Sequence, residues 1–287
     1  MVKRVLITGA TGGLGKAFAG ECASRGWDLY LTDISEEKLS RLATGLARQY
    51  GVQVLYEPCD LLNPASRDRF WQHSRDLGLQ AQMLINVAGL DFEGGFMDRS
   101  MTEIYTILRV NIEATLAMTR AMIESKKNGE ALYIINVSSL AGFYPMPLKA
   151  VYAASKRFLL DFSRSLRQEL RPEGIRVLAL CPAGLATKAD TIVSIESQGW
   201  IGQITTMQVG KVAATTVNRA LAGRSVYIPG FINQFTRWIS QFIPPNWVAW
   251  IIWKRWEKTR ALAARQGVLN EDPLNYPILE LGLADQG

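Results

Sequence analysis

The sequence predicts an α/β fold: one doubly wound parallel sheet of about seven strands, helices on both faces, and a C-terminal helical extension. Three observations carry this expectation. Short β-rich apolar runs alternate with longer helix-like segments, the rhythm of βαβ units. A glycine-rich turn follows the first of those runs directly. The helix-like segments end on residues that start and stop helices.

The expected strands run Arg4 to Thr8, Asp28 to Thr32, Gln53 to Glu57, Met83 to Asn86, Leu132 to Val137, Arg176 to Leu180 and Ser225 to Ile228. Ser35 precedes the run EEKLSRLATGLARQY and Gly51 follows it, an N-cap hydroxyl and a C-terminal glycine. A helix beginning near Lys149 should stop around Pro172 and Gly174, because proline lacks the donor and glycine accommodates the turn. Residues 1–230 read as one domain. Residues 231–287 differ: Trp238, Trp247, Trp250, Trp253 and Trp256 crowd a stretch broken by Pro244 and Pro245. The run WVAWIIWKRW is apolar nearly all round a helical wheel, so it should be buried in the fold, in a partner or at a membrane interface. It is too short to span a bilayer.

Composition narrows the class. Of 287 residues, 48% are hydrophobic and 20% charged, the balance of a globular protein. The net charge of +6 is moderate, with part of the excess in Lys254, Arg255, Lys258, Arg260 and Arg265. No nucleic-acid module accompanies it, so an anionic membrane surface or partner is the expected counterpart. Cys22, Cys59 and Cys181 are far apart and sit in or beside apolar runs, which predicts buried free thiols and a reducing compartment. The chain opens on a strand without a signal-peptide pattern, so the expected location is cytoplasmic, with peripheral membrane contact through the C-terminal segment. His73, the one histidine, lies in a polar stretch and should be solvated. With one histidine, expected in solvent, and no cysteine cluster, neither a Ser-His-Asp triad nor a histidine-based zinc site is expected, and no metal is expected.

The first strand leads into TGATGGLGKAF, with Gly9, Gly13 and Gly15 where a strand becomes a helix. Small residues there let the backbone approach a pyrophosphate while the helix N-terminus supplies free amides. Asp33 ends the second strand about 20 residues later, where a carboxylate accepts hydrogen bonds from an adenosine ribose. It would repel the 2'-phosphate of NADP, so NAD is the expected cofactor.

With these motifs in place the sequence resembles the short-chain dehydrogenase/reductase family, in order through most of residues 2–230, and a Rossmann-type sheet is implied. The glycine turn matches TGATGGLG, so Thr11 and Leu14 join Gly9, Gly13 and Gly15 as cofactor-binding positions. Asp60 and Leu61 match the pair that contacts adenine. NVAG matches the family's Asn-Asn-Ala-Gly with Asn86, Ala88 and Gly89 kept and Val87 substituted. CPAGLAT places Pro182 and Thr187 at the nicotinamide, with Ala183 in place of glycine. The implied catalytic residues are Asn111, Ser139, Tyr152 and Lys156, Ser139 being preferred over Ser138 for its separation of 13 from Tyr152. By resemblance Lys156 also binds the nicotinamide ribose, Ser139 positions the substrate oxygen, and Asn111 holds a water that links Lys156 to solvent. A homodimer or homotetramer built on the helices of Asn111 and Tyr152 is implied too.

Tyr152 and Lys156 are four apart on an expected helix and project from one face. A tyrosine ordinarily ionises at about 10, and the Lys156 ammonium together with the positive nicotinamide ring of the oxidised cofactor should lower that value. The stretch after Thr187, with Trp200, Ile201, Ile204 and Met207, falls where the family places a mobile lid. Phe143, Tyr144, Pro145 and Met146 follow the catalytic serine. Together they suggest a small hydrophobic carbonyl or alcohol substrate, steroid-like or fatty. Two other readings stand beside this one: an NADP-preferring reductase, and a non-catalytic NAD-binding sensor or scaffold.

Overall fold

A computed structural model describes residues 2–92, 94–183 and 208–265, with side chains to residue 257. Seven parallel strands form one sheet in the order β3-β2-β1-β4-β5-β6-β7. They are β1 (Arg4–Thr8), β2 (Asp28–Asp33), β3 (Val54–Pro58), β4 (Met83–Asn86), β5 (Leu132–Val137), β6 (Ile175–Leu180) and β7 (Val226–Tyr227). The expected strands are all present. The last is shorter, two residues at the sheet edge where pairing comes from β6 alone.

Both faces of the sheet are covered, which is why its strands are continuous apolar runs. Alternation divides them. Val5 and Ile7 of β1, Leu29 and Leu31 of β2, and Met83 and Ile85 of β4 pack with Phe18 and Leu39 in one core. Those partners come from α1 (Gly13–Ser24) and α2 (Glu36–Tyr50). Leu6, Tyr30 and Leu84 face the other way, onto Phe70, Met118 and Met122. These belong to α3 (Pro64–Asp76) and α5 (Thr115–Glu124).

Local chemistry sets the helix ends. Ser35 caps α2 by accepting from the Lys38 amide, and Gly51 closes it with φ 67°. Helix α4 (Met101–Leu108) opens on a reciprocal Ser100–Glu103 capping box. It continues through a π-helical turn, Arg109–Ala114, into α5. Helix α6 (Ala150–Leu170) ends in a short 3-10 turn and Gly174 at φ 76°, close to the expected stop. After β6 come α7 (Val209–Leu221), β7, α8 (Phe231–Ser240) and α9 (Pro245–Arg265). Cys22, Cys59 and Cys181 are buried free thiols, and His73 is an exposed side chain bonded to Glu57 at 2.8 Å.

Candidate active site

Strand order reverses between β1 and β4, and the crevice outside the carboxyl ends of parallel strands at such a switch is where this architecture takes ligands. The predicted residues converge there. Gly9 leaves β1 at φ 63°, and a Cβ on it would lie 2.7 Å from the Ala88 amide nitrogen. A Cβ on Gly15 would lie 2.1 Å from the Gly9 carbonyl oxygen. Both positions need glycine, the first for its backbone and its approach to the loop after β4, the second so that α1 can seat on the turn. Gly13 is the first residue of α1, and Leu14 points into the core. No side chain caps this helix at Gly12 and its first turn holds no acidic residue, which leaves amides and positive potential facing the crevice. A bare, glycine-lined helix start fits the pyrophosphate of a dinucleotide.

Asp33 sits beside that turn. Its Oδ2 accepts from the Thr11 amide at 2.9 Å and the Thr11 hydroxyl at 2.6 Å, and its Oδ1 accepts from the Ile34 amide at 2.8 Å. Thr11 is therefore the residue that aims Asp33. A carboxylate has about four acceptor sites, so capacity for a ribose diol is left. Asp60 forms a turn, accepting from the Leu62 amide at 2.9 Å. Leu61 is buried in the core, while its carbonyl accepts from Arg67, a buried guanidinium that also pairs with Glu113 at 2.6 Å.

Asn86 departs from expectation. Its amide nitrogen donates to Thr119 Oγ1 at 3.1 Å and to Asn136 Oδ1 at 2.9 Å, and Asn136 continues to Ser163 Oγ at 3.0 Å. The side chain expected at the cofactor is instead the head of a buried polar ladder joining β4, β5, α5 and α6. Ala88 and Val87 donate their amides to Thr8 Oγ1. At Gly89 a Cβ would stand 3.1 Å from Lys156 Nζ and 3.2 Å from Asn111 Oδ1, so its bareness admits those two side chains.

The catalytic candidates come together on three elements. Ser139 follows β5, Tyr152 and Lys156 lie on one face of α6, and Asn111 sits in the π-helical turn, a feature often found at functional sites. The two serines after β5 have different surroundings. Ser138 is buried and donates to the Lys156 carbonyl at 2.6 Å, whereas Ser139 accepts from the Ala141 amide at 3.1 Å and lies close enough to the Tyr152 phenol to lower its ionisation. Gly142 lets the turn after Ser139 press on α6, since a Cβ would meet the Lys156 carbonyl carbon at 2.9 Å. Pro182 accepts from the Leu140 amide at 2.8 Å and so holds the same turn. Thr187 and the expected lid, with Trp200, Ile201, Ile204 and Met207, lie outside the described residues.

Lys156 Nζ stands 5.6 Å from the Tyr152 ring centroid and donates to the Val137 carbonyl at 3.0 Å. Burial pulls its ammonium down to about 8, so it stays largely charged at neutral pH. Burial pushes the Tyr152 phenol up to about 12, and the Asp91 carboxylate adds to the rise; Ser139 and the Lys149 ammonium oppose it. This corrects the sequence expectation of a lowered tyrosine. Desolvation outweighs the nearby cations, and the opposing cation is Lys149. The Asn111 side chain is engaged within the protein. Its Oδ1 accepts from the Leu90 amide at 2.8 Å, and its Nδ2 donates to the Leu90 carbonyl and to Ser155 Oγ, both at 3.0 Å. It braces the loop after β4 against α6.

Asp91 and Lys149 were not singled out in the sequence. They pair at 2.7 Å, tying the loop after β4 to the start of α6, and Lys149 lies 5.8 Å from the Tyr152 ring centroid. Leu148 just before them takes φ 65°, a left-handed conformation rare for leucine. Gly94 donates to its carbonyl at 2.9 Å. Their signal was only their spacing, two residues past Gly89 and three before Tyr152.

Comparison with known proteins agrees with this geometry. The profile of the family described as short chain dehydrogenase matches residues 3–196. The very-long-chain 3-oxoacyl-CoA reductase of Anas platyrhynchos is 35% identical over 193 residues, covering 65% of this chain and 61% of its own. The 17-beta-hydroxysteroid dehydrogenase type 3 of Homo sapiens is 29% identical, covering 64% and 59%. A short-chain dehydrogenase from Sphingobium yanoikuyae, solved in complex with NADPH, superimposes with TM-score 0.70 at 27% identity over 96% of this chain and 98% of that one. The matches span 52% to 61% of the lengths of the first curated relatives.

Proposed function

The chain belongs to the short-chain dehydrogenase/reductase family, and from that premise we propose that it is an NAD-dependent oxidoreductase interconverting a hydrophobic ketone and its secondary alcohol, with Tyr152 as proton donor and acceptor. The observation that carries this is Tyr152 between Ser139 and Lys156 at the mouth of the glycine-lined crevice. A bound nicotinamide would supply or accept the hydride. Gly9, Gly13, Gly15 and the start of α1 would hold its pyrophosphate, Asp33 its adenosine ribose, and Lys156 its nicotinamide ribose.

In reduction the phenol of Tyr152 gives its proton to the carbonyl oxygen that Ser139 positions. Its raised ionisation keeps it protonated at neutral pH, which suits the reducing direction. Oxidation needs the phenolate, and positive charge from Lys149 and Lys156 favours it. The preference for NAD rests on Asp33 and on Glu36 and Glu37 close behind it, carboxylates that disfavour a 2'-phosphate. The NADPH complex of the Sphingobium relative favours the other reading, an NADP-preferring reductase.

The hydrophobic substrate is supported by Phe143, Tyr144, Pro145 and Met146 beside Ser139 and by the acyl and steroid substrates named for relatives. Residues 1–230 would form the catalytic unit, with subunit pairing through α4, α5 and α6, where Met101, Tyr105 and Phe158 are exposed. The test follows nicotinamide absorbance with NAD(H) and NADP(H) across steroid, fatty and polar ketones and alcohols. Turnover with NAD(H), lost in Tyr152→Phe, is expected. A preference for NADP(H) would overturn the role of Asp33, and cofactor binding without turnover would favour a sensor.

A further inference from the structure

Helix α8 is mounted inside out. Its buried residue is Asn233, 1% exposed, which donates to the Pro229 carbonyl at 2.8 Å. One turn on, Arg237 lies 4.5 Å from the centroid of the Phe143 ring. The outward strip is Phe231, Phe235, Trp238 and Phe242, spaced four, three and four apart, and 80%, 50%, 57% and 74% exposed. Consecutive rings in it approach to between 5.4 and 6.4 Å. A helix facing water alone would turn the other way.

Helix α9 extends the anomaly. Its apolar sequence calls for burial, yet none of residues 245–257 is buried, and Trp247, Trp250, Ile251 and Trp253 are exposed. Among the described residues, then, nothing buries this helix, which leaves a partner or a membrane interface of the three settings expected for the segment. Exposed apolar surface of this extent on two successive helices, accompanied by charge, marks a partner or a membrane.

Charge decides between them. Residues 231–265 carry six basic residues, Arg237, Lys254, Arg255, Lys258, Arg260 and Arg265, against one acidic residue, Glu257. This stretch nets +5, and residues 266–287 after it add four acidic residues and no basic one, so the positive charge is concentrated on the two helices themselves. Two copies meeting through it would bring like charges together. Anionic lipid headgroups attract it, tryptophan rings are suited to the boundary between headgroup and acyl chain, and the apolar strip enters below them. No helix among the described residues is long and apolar enough to cross a membrane, so the contact is peripheral.

We infer that α8 and α9 form one docking face for an anionic lipid surface. This names the partner of the C-terminal segment in the reading above and holds independently of turnover. Because Arg237 rests on Phe143, four residues after Ser139, docking would set the substrate side of the crevice near the bilayer, a source of hydrophobic substrate.

The test is flotation of the full chain with vesicles of phosphatidylcholine alone and of an equimolar phosphatidylcholine and phosphatidylglycerol mixture. The wild type is expected to float with the anionic vesicles, with a blue shift of tryptophan emission, and roughly tenfold less with the neutral ones or at high salt. The double changes Phe235→Ser with Trp238→Ser, and Lys254→Glu with Arg255→Glu, should each lower partitioning by about tenfold or more while melting temperature and NADH binding stay at wild-type values. A folded wild type that ignores anionic vesicles overturns the inference. So does an aromatic double variant that keeps its partitioning but changes from dimer to monomer in sedimentation, since the face then belongs to a second copy.

Discussion

Helices α2 and α8 are both amphipathic and are mounted in opposite senses. Helix α2 buries Leu39, Ala43 and Leu46 and exposes Glu37 and Arg41, whereas α8 buries Asn233 and exposes Phe231, Phe235 and Trp238. The caps Ser35 and Gly51 forecast the first helix, and a helical extension was expected over the residues that hold the second. Which stripe faces inward depends on what lies outside, and for α8 the setting that makes sense of its orientation is not water.

The largest effect should separate the chemistry of the body from the surface of its appendage. Tyr152→Phe removes the proton donor and should lower turnover by about 10²–10⁴-fold. Vesicle partitioning and melting temperature should remain unchanged. Loss of partitioning in that variant would merge two regions that are here held distinct.

Equivalent truncations sharpen the contrast in stability. Phe70→Ala, at a side chain 1% exposed between Tyr30 and Trp71, should cost about 3–5 kcal/mol in urea unfolding. Phe235→Ala should stay within about 0.5 kcal/mol. Comparable losses would show that α8 packs into the fold after all. Gly15→Ala forces a Cβ onto the Gly9 carbonyl and should cost about 1–3 kcal/mol while abolishing NADH binding in a fluorescence titration.

Lys156 gives the body a pH signature that the appendage lacks. Its folded value, about 8, lies below the ordinary 10.5, so the native state releases this proton first as pH rises. Its contribution to stability is present above 10.5 and lost as pH falls through 8. Lys156→Met should therefore be more stable than wild type below pH 8, by about 1–3 kcal/mol, with the difference closing toward pH 10.5. Thermal melts across that range check it, and a constant difference would sink the assignment. The smallest effect belongs to Asp91→Asn. Removing a carboxylate that raises the Tyr152 phenol should move the rising limb of alcohol oxidation to lower pH, and Lys149→Met should move it higher.

Much of the fold was legible because it is written in local terms. Alternating apolar runs, Ser35 and Gly51 as caps and Gly174 as a stop act within a few residues of themselves, and all are observed where expected. That Tyr152 and Lys156 share a face was legible through spacing, since they are four apart on a helix, while Ser139 was named by the family resemblance. Asn86 and Asp91 were not legible in this way. Asn86 is set by partners 33 and 50 residues away, and Asp91 by Lys149, 58 residues away. No local pattern records such contacts.

The sequence by itself determined the doubly wound sheet and the glycine turn with its carboxylate, because periodicity, capping and backbone sterics act over short range. Tertiary structure alone decided that Tyr152 is held protonated, that Asn86 and Asn111 brace the fold, and that the aromatic stripe of α8 faces outward. Desolvation, charge proximity and the direction of a helix face are properties of an assembled environment, summed over residues distant in the chain.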